Sequence, residues 1–90
     1  MEAMPLDGNA AAGALDDLFA FDVTTAVTTC ATCRDRHTVG ELLAYMRAPG
    51  MVLRCSTCDA VQLRMVHSAD RTWVDSRGVQ VLEIPGAGQR

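Results

Sequence analysis

The chain has 90 residues, four cysteines and a formal net charge of −3. A domain of this size buries only about 60 to 65% of its unfolded surface, so it tends to need a disulfide or a metal for stability. No apolar run is long enough to span a membrane, and the start lacks the basic and apolar regions of a signal peptide. We therefore expect a soluble, cytoplasmic protein with no membrane partner. In that reducing compartment, cysteines are expected to bind metal rather than to form disulfides.

Charge is unevenly distributed along the chain. Residues 1–33 contain five acidic residues and no Lys or Arg, whereas residues 34–90 contain eight Arg and six acidic residues. An acidic N-terminal segment is repelled by phosphate. We therefore expect it to contact a basic protein rather than bare nucleic acid.

Residues 1–22 are predicted to form a helical or flexible N-terminal segment. Asn9 follows a turn signal and is the expected N-cap of a helix over about residues 10–21. The apolar residues that recur on one face of this helix are Ala11, Leu15, Leu18 and Phe19. Gly8 and Gly13 weaken helix propensity, so the segment can be flexible until a partner binds it.

Residues 23–84 are predicted to form a small β-rich zinc ribbon of antiparallel hairpins, with about five to six short strands. The candidate strands are residues 23–29, 37–46, 51–53, 61–67, 72–75 and 79–84. Residues 85–90 are expected to form a disordered tail. Thr38 and Glu41 also fit the capping box of a short helix, but the turn Ala48-Pro49-Gly50 favours a hairpin.

Two side chains of the predicted strands have alternative interpretations. Gln62 and Arg64 alternate with apolar residues, which places both on the solvent face of a half-buried strand. Trp73 is the only tryptophan, and a lone Trp in a small β domain is expected in the core. An exposed Trp73 among Arg residues would instead suit stacking on bases of single-stranded RNA.

All four cysteines fall into two Cys-x-x-Cys pairs, which are Cys30 with Cys33 and Cys55 with Cys58. A two-residue spacer lets a tight turn direct both sulfurs and several N–H groups at one centre, and two such turns complete a tetrahedral site. The spacing predicts a structural Zn²⁺ site formed by four thiolates. Iron takes the same ligands, and a Cys-x-x-Cys pair can also be a redox dithiol, so both remain alternatives.

The neighbours of the cysteines add further expectations. The residue after the second cysteine of such a turn favours φ > 0, and here it is Arg34 or Asp59 rather than Gly. His37 and His67 are interpreted as ordinary strand or surface residues because four cysteines already complete the metal shell. We find no catalytic triad, no phosphate-binding loop and no metal site with an open position, so an enzyme is not expected.

Several short motifs make the chain similar to a known family. They are Asp7-Gly8-Asn9-Ala10-Ala11-Ala12-Gly13, the two Cys-x-x-Cys pairs, Ala48-Pro49-Gly50 and Arg71-x-Trp73. With them the chain resembles a family of small actinobacterial zinc-ribbon proteins and, within it, the mycobacterial factors that recruit the hibernation protein called protein Y to ribosomes. Those factors carry a Gly-Asn-x-Leu-Ala-Gly motif tied to small-subunit binding. The chain has Ala11 where that motif has Leu.

This resemblance implies a function and a second set of site residues. The implied contacts with the small ribosomal subunit, made through a ribosomal protein, are Gly8, Asn9, Ala12 and Gly13. The chain would be a monomeric, zinc-responsive adaptor that brings protein Y to the subunit when zinc is scarce. Two alternatives stay open, namely a metal-handling accessory protein similar to nickel metallochaperones and a purely structural zinc-ribbon interaction module.

Overall fold

The computed structural model describes residues 5–19, 22–47 and 50–85, and within them the chain forms eight short antiparallel strands with little helix. The strands are β1 (Leu6–Asp7), β2 (Val27–Cys30), β3 (Arg36–Thr38), β4 (Leu43–Arg47), β5 (Gly50–Arg54), β6 (Val61–His67), β7 (Thr72–Asp75) and β8 (Val79–Glu83). The predicted β-rich fold class is confirmed. The strand count is higher than expected because β1 and β3 are too short to show a sequence period.

The strands form two sheets, which divide the cysteine pairs between them. Sheet A has the order β1-β4-β5-β6-β7, and sheet B has the order β3-β2-β8. Cys30 ends strand β2 of sheet B, whereas Cys55 directly follows strand β5 of sheet A. A group that binds both cysteine pairs therefore joins the two sheets.

The helix predicted over about residues 10–21 forms in two parts and ends at Leu18, because Phe19 has an extended backbone. A 3₁₀ turn spans Gly8–Ala11 and continues into helix α1 (Ala12–Leu18). The expected N-cap Asn9 is wrong, because the Asp7 carboxylate accepts a hydrogen bond from the Asn9 N–H at 3.1 Å and so caps the turn. Residues 20 and 21 of the predicted helix lie outside the described residues.

The strand expected over residues 23–29 is only half correct. Val23–Thr25 form a 3₁₀ turn, and β2 begins at Val27. The Asp22 carboxylate caps this turn, accepting hydrogen bonds from the Thr24 N–H at 3.1 Å and the Thr24 hydroxyl at 2.5 Å. Such local bonds offer Thr-rich backbone an alternative to strand pairing.

Both interpretations of residues 37–46 apply, one to each half. Thr38 and Glu41 form a capping box on a 3₁₀ turn at Val39–Glu41, with the Thr38 N–H donating to the Glu41 carboxylate at 2.8 Å. Strands β4 and β5 then pair as an antiparallel hairpin. Ala48 and Pro49 of the expected turn lie outside the described residues.

The hydrophobic core lies under the inner face of sheet A. Ten buried residues form it, namely Ala11, Leu15, Val23, Ala26, Val39, Leu42, Ala44, Met51, Leu53 and Met65. They come from the N-terminal segment, the 3₁₀ turns with their flanking residues, and strands β4 to β6. None of these ten lies on a strand of sheet B, so the core belongs mainly to sheet A and the segments that cover it.

The packing between sheet A and sheet B contains a gap. A cavity of about 390 Å³ lies between the sheets. Its lining includes Thr28, Val79 and Leu82 from sheet B, and Leu53, Leu63 and Val74 from sheet A. Packing between the sheets is therefore incomplete at this point.

No helix in the described part of the chain has the length and apolar character needed to cross a membrane.

Two side chains occupy the opposite environment from the one predicted. Gln62 is buried rather than exposed, because a bulge between Leu53 and Arg54 shifts the β5–β6 register next to it. Trp73 is 55% exposed rather than part of the core, because β7 is an edge strand and turns this side chain away from the core. The predicted bounds of β6 and β7 are correct.

Candidate metal centre

The two Cys-x-x-Cys segments fold into turns with matching backbone hydrogen bonds. In the first turn the Arg34 N–H donates to the Cys30 carbonyl at 2.9 Å, and in the second the Asp59 N–H donates to the Cys55 carbonyl at 2.9 Å. The first cysteine of each turn also donates its N–H five residues onward, to Asp35 O and to Ala60 O. The same local fold therefore occurs twice, once in each sheet.

Each turn contains a residue with a left-handed backbone. Arg34 and Asp59 both have a φ of 68°, and they are the only described residues other than glycine with a positive φ. This confirms the expectation that the position after the second cysteine takes φ > 0. Asp tolerates this conformation better than Arg, so the first turn carries more backbone strain than the second.

The fold brings the four cysteine sulfurs together. All four Sγ atoms lie within 4.8 Å of one another. The Cys30–Cys58 and Cys33–Cys55 Sγ pairs are 3.7 Å apart, which is far beyond the S–S bond length of about 2.05 Å. Both of these close pairs join one turn to the other. The four cysteines are therefore positioned to coordinate a single metal ion.

Hydrogen-bond donors surround the buried sulfurs. The Cys30 Sγ accepts from the Thr32 N–H at 3.4 Å and from the Cys33 N–H at 3.5 Å, and the Cys55 Sγ accepts from the Thr57 N–H at 3.4 Å. These donors stabilise negative charge on sulfur, which is the form that binds metal.

Gln62 is a further donor to the centre that sequence reasoning missed. Its side chain is 1% exposed, and its amide nitrogen donates to the Cys30 Sγ at 3.3 Å and to the Ala60 carbonyl at 3.3 Å. Its Oε1 atom is buried without a hydrogen-bond partner in the described part of the chain. The sequence signal for this role is a polar residue four positions after Cys58. The alternation of polar and apolar residues along the strand instead predicted that Gln62 faces solvent.

The thiol pKa values in the metal-free chain differ between neighbours. Burial alone would raise the pKa of the Cys30 thiol, but the N–H groups of Cys33 and Thr32 and the amide of Gln62 outweigh it and lower this pKa to about 6. A hydrogen bond from the Asp35 backbone lowers the pKa of Cys33, yet burial and the adjacent sulfurs raise it to about 12. Four negative charges cannot coexist this closely unless a cation compensates them.

A polar bridge also joins the two cysteine turns. The Thr57 hydroxyl, from the second turn, donates to the Asp35 carboxylate at 2.5 Å and lies 2.9 Å from the His37 Nε2. Asp35 and His37 follow the first turn on the other sheet. His37 thus contributes to the surroundings of the centre, and the metal-ligand cluster in the described residues consists of cysteines alone.

The other predicted site residues lie outside this cluster. Gly8 and Asn9 pack against the 3₁₀ turn at Val39–Glu41, since a Cβ on Gly8 would lie 1.8 Å from Val39 O and one on Gly40 would lie 2.6 Å from Asn9 Oδ1. Ala12 is half-buried, and Gly13 is exposed, with open space for at least 4 Å around the position that a Cβ would take. Only Gly13 of these four lacks a packing constraint.

Comparison with known proteins gives one result. A model of DUF6510, a family of unknown function, matches residues 1–87. The chain belongs to this family. No curated protein and no solved structure gives a significant match. Membership of DUF6510 thus covers both the N-terminal segment and the metal centre, and its function has to be inferred from the geometry.

Proposed function

We propose that this DUF6510 protein is a non-enzymatic binding module in which one structural Zn²⁺ ion, held by the four cysteines, joins the two sheets. The observation that carries the proposal is the sulfur geometry. A tetrahedral zinc site with Zn–S bonds of about 2.3 Å has sulfurs about 3.8 Å apart, and two inter-turn pairs here are 3.7 Å apart.

The donor set favours a structural site over the alternatives. Four protein sulfurs fill a tetrahedral shell and leave no open position for a substrate, as catalysis or metal transfer would require. Sulfur contacts of 3.7 Å join one turn to the other, which suits an ion shared by all four cysteines better than a redox dithiol confined to one Cys-x-x-Cys pair.

Metal analysis of the purified full-length chain tests this proposal. We expect one zinc ion per chain by elemental analysis, and loss of that zinc in the Cys58→Ser variant. Cobalt substitution should give the absorption spectrum of a tetrahedral tetrathiolate. Iron in place of zinc, or a reversible disulfide in reductase turnover with no bound metal, would contradict it.

The narrower proposal is that this module is a zinc-responsive adaptor that binds the small ribosomal subunit and recruits protein Y. It rests on the family resemblance and on the Gly8–Gly13 segment. In that segment Gly13 is exposed with open space around it, so its surface is accessible to a partner. The packing of Gly8 against Val39 would keep the segment in a fixed position.

Cosedimentation with small ribosomal subunits, with zinc and with a chelator, tests the adaptor role. Gly13→Gln adds a bulky side chain in open space, so it should abolish cosedimentation while zinc content stays unchanged. Ser68→Gln introduces the same side chain at another exposed position, on the β6–β7 turn, and serves as the control. Failure of the unaltered protein to cosediment under either zinc condition would refute the adaptor proposal and leave the zinc proposal intact.

A further inference from the structure

The face of sheet A that points away from the core carries an unusual combination of side chains. Strand register places Tyr45, Val52, Arg64 and Asp75 in one row across β4 to β7, and Arg47, Gly50, Val66 and Trp73 in the next row. Directly paired residues share a face, so these eight define what we call the outer face. Two aromatic rings and two Arg residues thus lie on one surface.

Trp73 is the most exposed aromatic group of the outer face. Its side chain is 55% exposed and lies on the edge strand β7, directly opposite Val66. A shallow depression beside it is also lined by Arg64 and Arg77. The indole is therefore supported on one side by an aliphatic neighbour and leaves much of its surface accessible, as a base-stacking platform requires.

The depression continues across the sheet to Tyr45. A second depression shares Arg64 and Val66 with the first and extends over Arg47 and Tyr45. Tyr45 and Trp73 lie three strands apart, a distance of about 15 Å at the usual strand spacing. This span accommodates a short extended segment of a polymer rather than a single small molecule.

The charges of the outer face leave two Arg residues available. Asp75 is bound by Arg77, with Oδ2 and Nη2 2.6 Å apart, and Asp59 lies 3.9 Å from the Arg54 guanidinium. Within the described residues, Arg47 and Arg64 form no ion pair, and Asp75, which lies directly opposite Arg64 and interacts with it electrostatically, is bound by Arg77 instead. The remaining acidic neighbour, Asp7, caps the first 3₁₀ turn at the β1 edge, which is the far side of the sheet from Trp73.

We infer that the outer face binds single-stranded nucleic acid, with Trp73 stacking on an unpaired base and with Arg47 and Arg64 contacting phosphates. Stacking needs a base that is not already paired, which favours a single strand over a duplex. Guanidinium groups bind phosphate through paired N–H donors, and the aliphatic residues between them suit a base or sugar. The inference goes beyond the proposed function, since it concerns a different surface and a different class of partner.

Intrinsic fluorescence gives a direct test, because Trp73 is the only tryptophan of the chain. The zinc-loaded full-length protein is titrated with short oligouridylate, with oligothymidylate and with a duplex of the same length. We expect single strands to quench the emission and to bind more tightly than the duplex. Preference for uridylate would identify RNA as the partner, and equal binding would identify single strands of either kind.

Variants measured with a labelled oligonucleotide assign the contacts. Trp73→Ala should weaken binding by between about 5- and 150-fold, the range for loss of one stacked base. Arg64→Gln should weaken binding and reduce the slope of log affinity against log salt by about 0.7.

Two matched controls lie on sheet B. Val81→Ala removes an equally exposed apolar side chain, and Arg36→Gln removes an exposed Arg, so neither should alter affinity. Zinc content and thermal unfolding verify that every variant is folded. The inference fails if Trp73→Ala binds like the unaltered protein, if the duplex binds more tightly than the single strands, or if no quenching occurs. Zinc content and cosedimentation test the two earlier proposals separately, so none of these results would refute either of them.

Discussion

Single residues decide how well each cysteine turn is held. Arg34 and Asp59 occupy equivalent positions with the same φ of 68°, but their side chains differ in their contacts. The guanidinium of Arg54 donates to the Asp59 carbonyl at 2.9 Å and lies near its carboxylate, whereas no ion pair involving Arg34 is found in the described residues. The second turn thus has a side-chain support that the first turn lacks.

Replacing the strained Arg should therefore stabilise the metal centre. For Arg34→Gly we expect the free energy of unfolding of the zinc-bound protein to rise by about 1 kcal/mol, because the left-handed backbone costs Gly little. A competitive chelator titration should show tighter zinc binding, roughly fivefold by the same figure. Asp59→Gly is the control and should gain less, since it loses the Asp59 carboxylate that lies 3.9 Å from the Arg54 guanidinium. Zinc binding by Arg34→Gly that is no tighter than in the unaltered protein would contradict this account.

At the scale of elements, the sequence predicted the parts that depend on local chemistry. The bounds of β6 and β7 and the φ > 0 positions follow from alternation, turn residues and cysteine spacing, all of which are local. The positions of Gln62 and Trp73 depend instead on a bulge and on which strand lies at the sheet edge. Such features are set by strand pairing between distant residues, which a single sequence does not display.

The N-terminal segment is an element whose two glycines should respond in opposite ways. Gly8→Ala places a Cβ 1.8 Å from Val39 O, so the turn at Gly8–Ala11 must shift away from the turn at Val39–Glu41 and the protein should be destabilised. Gly13→Ala meets nothing within 4 Å and lies in helix α1, so it should stabilise the protein by up to about 1 kcal/mol. Urea unfolding with zinc in excess measures both. Equal effects of the two substitutions would show that the segment does not pack as described.

In the whole molecule, the hydrophobic core stabilises mainly sheet A, whereas the metal centre holds sheet B against sheet A. The ten core residues include none from the strands of sheet B, and the cavity of about 390 Å³ separates part of that sheet from sheet A. Sheet B is tied to sheet A by the cysteine cluster, by the Thr57 bridge and by the bond from the Gln62 amide to the Cys30 Sγ at 3.3 Å. Its position therefore depends on the metal more than the position of sheet A does.

Metal removal should act first on sheet B. Binding of structural zinc supplies on the order of 10 kcal/mol, comparable to the whole stability of a small domain. After chelation we expect amide hydrogen exchange to accelerate in β2, β3 and β8 before it does in β5 and β6, as followed by mass spectrometry. The Cys58→Ser variant should give the same pattern with zinc present. Simultaneous loss of protection in both sheets would show that the metal supports the entire fold equally.

The strand order of sheet B also determines when the molecule can be completed during synthesis. Strand β2 pairs with β3, a few residues later, and with β8, whose residues emerge about fifty positions later. All four metal ligands are available once Cys58 has been made, whereas β8 begins at Val79. A nascent chain can thus bind its metal before the third strand of sheet B exists. The centre then acts as the fixed point against which the last strand is added.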